Sequence, residues 1–412
     1  MPLPVPGPPE ALYIHVPFCI SLCPYCDFVV VAGAEARGPA SRIPGYVAAV
    51  RRELELRADT LDARWGAVGS PTRPRLGSLY LGGGTPSILP PDAIAGLIRL
   101  VELRYGLADR AEVSLEANPG PDDRGDPAAL VAAGITRLSY GAQALDDATL
   151  KSLGRRHRAA DVVEAVAEAR EAGIESLNLD LLYDVPGTSV EGWMTTLDWA
   201  LELEPDHLSL YALTLDDPDA EGLTGPLGDH LPTTRGARRW RDTARAGQDE
   251  DRAAAMYHHA VHRLAEVGFE AYEISNWARP GHESRHNLAY WERRPYEAVG
   301  PGAHAFDGAV RRWTAARLDT YSNALTPADG SPGRLPPGGE EALDAASAAA
   351  ERVILGLRTS SGLPAEAMAE PPLAEHIGWA LAAELIDVTA DDRIVLTTRG
   401  RLLSNELFAR LV

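Results

Sequence analysis

Short runs rich in β-branched and apolar residues recur through the first half of the chain, with longer stretches of helical periodicity between them. ALYIHVPF (11–18), LGSLYLGG (76–83), EVSLEAN (112–118), RLSYGAQ (137–143), SLNLDLLY (176–183) and HLSLYALT (207–214) read as strands. GYVAAVRRELELRA and AADVVEAVAEAREAGI read as helices, with Gly173 placed as a stop before the next strand. This alternation predicts six βα units, an α/β fold with a parallel sheet and crossover helices. Periodicity does not choose between a barrel and an open doubly wound sheet.

From about 215 to 250 the pattern breaks into Asp, Pro and Gly, which predicts a long surface excursion with the character of a lid. Helical pattern returns at DRAAAMYHHAVHRLAEVGF. TPADGSPGRLPPGGEE (326–341) has linker composition and divides a domain over residues 1–325 from a C-terminal one over 338–412. In the latter, ALDAASAAAERVILGLRTSSGL reads as a helix, IDVTADDRIVLTTRG as a hairpin around Asp391 and Asp392, and the remainder as a final helix. Helices with one small hairpin suggest a mainly helical, winged-helix-like module packed on the first domain.

With 412 residues, 45% of them hydrophobic, the chain can bury a large core. Its formal charge of -20 argues against nucleic acid as a partner, despite the local runs RRHR (155–158) and RGARRWR (235–241). The N-terminal MPLPVPGPPEALY lacks a basic region and an apolar core, and no run reaches the roughly 18 apolar residues of a membrane span, so a soluble cytoplasmic protein is expected.

All three cysteines lie in HVPFCISLCPYCDF, at positions 19, 23 and 26. An odd count within one loop cannot build a disulfide framework and fits a reducing compartment. Taken alone, CPYC matches a glutaredoxin-like dithiol, which leaves Cys19 unexplained. A zinc site drawing on Cys19, Cys23, Cys26 and His15 is a second reading, although such sites normally take ligands from two separated pairs. A third is a 4Fe–4S cluster: three thiolates ligate three irons and leave the fourth open. An open iron can chelate an amine and a carboxylate, both of which the methionine end of S-adenosylmethionine (SAM) offers.

The Cys-x3-Cys-x2-Cys spacing, with Tyr25 before the last cysteine, resembles the radical SAM superfamily. That resemblance implies one-electron reductive cleavage of SAM to methionine and a 5'-deoxyadenosyl radical. A SAM pocket in a parallel βα fold belongs at the C-terminal ends of the strands, and candidates stand there. GGGTPS (82–87) allows close backbone approach, or is simply a tight turn; no Lys-Ser/Thr pair follows to make it a phosphate loop. Glu116 in EANPG, Gln143 in YGAQ and Asp180 in NLDLLYDVPG are polar groups in apolar strands, which a ligand or mutual hydrogen bonding would satisfy. Arg155 in LGRRH can pair bidentately with a carboxylate.

In order and spacing, YIHVPFC, GGGTPS, EANPG, LSYGAQ, LGRRH and NLDLLYDVPG resemble the oxygen-independent coproporphyrinogen III oxidases and their HemW-type relatives, over residues 11 to about 310. The resemblance implies an incomplete (β/α)6 barrel, open enough for a large planar substrate. By it, Gly83 and Gly84 receive the methionine amino group, Arg155 its carboxylate and Tyr25 the adenine. Glu116, Gln143 and Asp180 take the ribose or methionine end, and Tyr13, Phe28 and Thr85 complete the SAM set.

Two features separate the branches. The cluster run continues with Asp27 and Phe28 where the oxidases have Gly and a fourth Cys, and only ten residues precede the first strand in place of a long arm. Both point to the HemW-type branch, as do YEISNWA (272–278), RHNLAYW (285–291) and GPGAHAF (300–306). The implied function is a haem chaperone that delivers haem to acceptors such as respiratory haemoproteins, membrane-bound ones included. It uses a reducing electron donor and exists as a monomer or cluster-dependent dimer; the alternative is oxidative decarboxylation of coproporphyrinogen III. His286 offers an axial nitrogen to haem iron unless it is a satisfied core histidine; His304 and His207 are weaker candidates. The family glycine before the Leu-Pro-Gly turn is Asp184 here, followed by Val185.

Overall fold

The structure is a computed structural model that describes residues 4–215 and 218–412. Its centre is a twelve-stranded sheet. The six predicted strands are β1 (Ala11–Val16), β2 (Leu76–Gly83), β3 (Leu107–Ala117), β4 (Arg137–Gln143), β5 (Ser176–Tyr183) and β6 (His207–Ala212). The others are β7 (Glu270–Ala271), β8 (Asn276–Ala278), β9 (Tyr296–Val299), β10 (His304–Phe306), β11 (Val310–Thr314) and β12 (Gly338–Ala342).

In space the strands run β12-β11-β10-β9-β1-β2-β3-β4-β5-β6-β8-β7. The stretch from β9 to β6 is parallel throughout, and antiparallel strands extend it on both sides. The sheet curls without closing, an incomplete barrel with β1 to β6 as its wall. β3 begins earlier than its pattern predicts, because exposed Asp109 and Arg110 interrupt the apolar signal while the backbone already pairs.

Side-chain alternation gives the two faces of this wall different chemistry. Leu12, Ile14, Leu79, Leu81, Val113, Leu115, Leu138, Leu177, Leu179, Leu208 and Leu210 point outward into a continuous core. Helices Ile43–Trp65, Pro91–Arg104, Ala159–Glu171, Val190–Glu202 and Glu250–Glu266 cover that face. Ala49, Val50, Leu54, Ala58 and Leu61 form the buried stripe of the first of them, at helical spacing. Gly173 adopts φ +87° just beyond its helix, as a left-handed stop requires. On the concave face stand Tyr80, Glu116, Ser139, Asn178, Asp180 and Ser209, which is why the barrel interior holds a cavity rather than packed branched side chains.

Residues 215–250 are not all excursion. Thr234 caps a helix, Arg235–Arg245, whose Arg241 side chain reaches the cysteine loop. With five arginines and only Ala237, Arg241 and Ala244 turned inward, its composition hides the helical period. Asp216 and Asp217 of that stretch lie outside the described residues. The end of the linker-like segment is ordered as β12, paired with β11 at the sheet edge.

Beyond it come helix Ala345–Arg358 and a three-stranded sheet of Leu363–Pro364, Arg393–Leu396 and Ile386–Val388. The hairpin turns at Asp392, φ +54°. The single final helix expected is two short ones, Thr398–Leu402 and Ser404–Phe408. Val353, Leu357, Leu373, Ile394, Leu396 and Leu407 form the core here, and Ile274 packs against it. Arg358 pairs with the buried Glu273 at 2.8 Å, which ties this core to the barrel.

Candidate cofactor site

Past β1 the chain turns, and Phe18–Cys19 pairs with Val31–Ala32, so the cysteine loop is pinned at its base. Inside it, the Cys26 amide donates to Cys23 O at 3.1 Å. The Arg241 guanidinium donates to Pro24 O at 3.1 Å and Cys26 O at 2.9 Å, holding the loop's peptide groups from outside. All three thiols are half-buried. Burial pushes Cys19 up to about 11, against a hydrogen bond from Thr85, and raises Cys26 further. Left alone these groups keep their protons; as thiolates they require a strong positive partner, which iron supplies.

Zinc with His15 as fourth ligand does not fit. The His15 ring sits between Tyr13 OH (3.0 Å) and Val29 O (2.9 Å), so both nitrogens are committed. Among the described residues no three His, Cys, Asp or Glu side chains converge on a point that would hold one ion.

The glycine turn after β2 lies under the loop. Gly83 has φ +109°, and a Cβ there would meet the His15 ring at 2.4 Å. At Gly84 a Cβ would lie 2.6 Å from Phe18 O and 2.9 Å from Val16 O, so the two backbones touch only because this residue is Gly. The Gly83 amide donates to Glu116 at 2.8 Å and the Gly84 amide to Val16 O at 2.8 Å. A ligand ammonium must therefore be met by the turn's carbonyl oxygens. Thr85 joins turn to loop: its hydroxyl receives a hydrogen bond from Asn118 at 2.9 Å and lies 3.2 Å from Cys19 Sγ.

Arg155 is buried beside Cys23. Its guanidinium donates to Gly141 O at 2.7 Å, to Asn118 and, at 3.5 Å, to Cys23 Sγ. Its Nε is buried without a partner, and no carboxylate among the described residues forms an ion pair with it. A ligand carboxylate completes such a group. The Tyr25 hydroxyl is likewise buried and unpaired, its ring packed near Trp240, Leu182 and Leu213. These orphaned atoms fit SAM bound beside a cluster.

The larger cavity, about 840 Å3, is bounded by the cysteine loop, the glycine turn and the polar wall. Glu116 accepts from Tyr80 OH at 2.8 Å as well as from Gly83, and burial pushes its carboxyl up to about 7. Asp180 accepts from Ser139 at 3.1 Å and Asn178 at 2.8 Å and is also raised by burial. Gln143 lines the cavity from a kink in β4, at φ +66°. The Tyr13 hydroxyl is spent on His15, which leaves its ring as the cavity-facing part, and Phe28 stands 61% exposed at the rim.

His286 has the partners of the second of its two readings. It is buried, with Nδ1 3.0 Å from Ser78 Oγ, Nε2 2.8 Å from Tyr290 OH and its ring stacked on Tyr80. Burial lowers its pKa to about 3. Both ring nitrogens therefore have protein partners, the arrangement of a satisfied core histidine. His207 is the same case, held by Asn178 at 2.6 Å and Tyr272 at 2.9 Å. Sequence reasoning missed Asn118, Tyr80, Asn178 and Arg241. Asn118 could have been found, since it sits inside EANPG; nothing in the sequence marks Arg241 as a clamp on a loop 215 positions away.

The Radical SAM superfamily pattern matches residues 13–200. The heme chaperone HemW of Mycobacterium tuberculosis is 38% identical over 99% of this chain and 96% of its own length. That of Lactococcus lactis is 30% identical over 98% and 97%. The chain belongs to the HemW family of radical SAM proteins. Another relative, the bovine mitochondrial radical S-adenosyl methionine domain-containing protein 1, is 33% identical over 99% of this chain and 87% of its own. Among solved structures, the coproporphyrinogen III oxidase HemN of Escherichia coli superimposes with a TM-score of 0.76, covering 99% of this chain and 91% of that one, at 23% identity. At that identity the likeness establishes a shared fold.

In this HemW-family chain Asp184, in the turn after β5, takes φ +54°, a conformation that favours glycine. Its carboxylate offsets the strain by accepting from Arg252 Nε at 2.9 Å and the Asp249 amide at 3.3 Å.

Glu116 carries a pH signature. Its folded pKa lies above the unfolded value of 4.5, so the folded state holds its proton more tightly. The resulting stability is fully present below about pH 4.5 and is lost as pH rises through about 7. In ligand-free protein, Glu116→Gln is expected to flatten the fall in urea midpoint across that window; an unchanged slope would assign it elsewhere.

Proposed function

We propose that this chain is a cytoplasmic haem chaperone, which binds haem and passes it to acceptor haemoproteins. The observation that carries this reading is near full-length similarity to relatives named heme chaperone HemW, at up to 38% identity. Among the described residues no helix is long and apolar enough to cross a membrane. Cys19, Cys23 and Cys26 would hold a 4Fe–4S cluster and leave its fourth iron to SAM. When bound, that pair supplies one-electron reduction and, when SAM is cleaved, a carbon radical.

The chain's own part is positional. Arg155 would anchor the methionine carboxylate, and the carbonyls of Gly83 and Gly84 would receive its ammonium. Thr85 would hold the turn against Cys19, and Tyr25 would face the adenine. Glu116, Gln143 and Asp180 would accept from ribose hydroxyls or the methionine end, while Tyr13 and Phe28 close the rim. A reducing partner of acidic character would find Arg235 and Arg239 exposed on the helix whose Arg241 grips the cluster loop.

The decarboxylating alternative draws on the fold shared with HemN, which at 23% identity does not carry an activity. Asp27 and Phe28 after the last cysteine favour delivery. The test is anaerobic reconstitution followed by haem in one aliquot and coproporphyrinogen III, SAM and a reductant in another. Stoichiometric haem binding without decarboxylated product is expected; multiple-turnover decarboxylation with weak haem binding would make the chain an oxidase.

A further inference from the structure

A second cavity of about 450 Å3 opens on the far side of Tyr13, Phe28 and Tyr290, three residues that also line the first. We infer that this second cavity is the haem seat and that His230 Nε2 is the axial ligand to its iron, an inference that rests on the haem-chaperone reading. The size falls within the roughly 300–1,000 Å3 range of small-ligand and cofactor sites. Trp291, Tyr296 and Phe306 give it aromatic walls, the surface a porphyrin face packs against. Phe28, 61% exposed just after the last cysteine, would be covered by such a ligand.

The histidines decide the ligand. His15, His207 and His286 have both ring nitrogens committed to protein groups. His230 does not: its Nδ1 lies 3.0 Å from Asp229 Oδ1, and its Nε2 has no hydrogen bond among the described residues. An imidazole that gives its Nδ1 proton to a carboxylate and keeps Nε2 free is the arrangement in which histidine binds metals, since the second-shell carboxylate fixes the tautomer and raises the ligand's basicity. The other Asp229 oxygen is held by His304 Nε2 at 2.8 Å. The His304 ring is stacked on Trp313, which fixes the side chain that holds this oxygen.

The opposite wall supplies cations. Arg293 and Arg311 both line the cavity and share one carboxylate, Glu351. Arg311 also pairs with Glu341 at 3.2 Å, so the propionates of haem would draw on these guanidiniums by exchanging with the glutamates. The Trp291 indole nitrogen is buried without a partner and can donate to the same groups. Because Tyr13, Phe28 and Tyr290 form a shared wall, haem so placed would lie one side chain away from the cluster loop.

The test is a titration of the reconstituted full chain with ferric haem, read by Soret absorbance and electron paramagnetic resonance. His230→Ala is expected to lose the nitrogen-ligated signature, and added imidazole to restore it. His230→Met should exchange it for a thioether-ligated spectrum, which a structural role would not produce. Asp229→Asn should weaken binding roughly tenfold to a hundredfold, as second-shell partners of metal-bound histidines do. His286→Gln should keep the nitrogen signature. A wild-type spectrum and affinity in both His230 variants would overturn the assignment while leaving the chaperone reading intact. Absence of stoichiometric haem binding by the wild type would overturn both.

Discussion

Cys23→Ser is expected to abolish the iron–sulfur absorption of the anaerobically reconstituted protein and bring its bound iron close to zero. Each thiolate of a three-cysteine loop serves a different iron, so no spare ligand compensates for the loss. A serine hydroxyl beside Arg155 does not ionise readily enough to replace it. The far-UV circular dichroism should stay as in the wild type, because the cysteine loop lies outside the hydrophobic core and its base pairs through Phe18–Cys19 and Val31–Ala32. A variant that retained a full cluster would mean that Cys23 is not a ligand and would return the CPYC stretch to a dithiol role.

Glu53→Ala should be the most destabilising of single changes away from the cavities, by about 3–5 kcal/mol, the usual consequence of stripping one partner from a buried ion pair. Glu53 is fully buried on helix Ile43–Trp65 and accepts from Arg57 Nε at 2.7 Å, the Gly300 amide at 2.9 Å and Tyr321 OH at 2.7 Å. Without it the Arg57 guanidinium stays buried with only Glu297, 3.9 Å away. The network also supports the site. Gly300 packs so closely on β1 that a Cβ would lie 2.5 Å from His15 O, the oxygen to which Tyr46 of the same helix donates at 2.6 Å. Urea unfolding measures the loss; a midpoint within experimental error of the wild type would show that Arg57 finds compensation.

What the sequence made legible follows from how local each signal is. β2, β4 and β5 begin and end where their runs do, because apolar stretches flanked by turn residues leave little choice of register. The cofactor loop was legible for the same reason: three thiols at short spacing, a glycine turn and polar side chains on alternate strand positions are all local. The Arg-rich helix was missed because charged residues on most exposed positions, and a buried Arg241, erase the apolar period. β12 was hidden in a Gly/Pro segment whose strand character comes only from pairing with β11. The sequence left His286 between haem ligand and core histidine because motif spacing says nothing of partners; Ser78 lies 208 positions away and Tyr290 on the next helical turn. His230 carried only a weak signal: Asp229 stands beside it in the sequence, but that the two side chains pair and leave Nε2 open is visible only in three dimensions.

Haem transfer is the property that separates a chaperone from a protein that merely binds haem or makes its precursor. The most direct measurement loads the reconstituted chain with one equivalent of haem, mixes it anaerobically with an apo-haemoprotein and follows the Soret shift. Haem moving to the acceptor faster than an equal amount passes from a non-specific carrier, such as serum albumin, is the expected result. Haem that stays on the chain, or moves no faster than from the albumin control, would contradict delivery as its function.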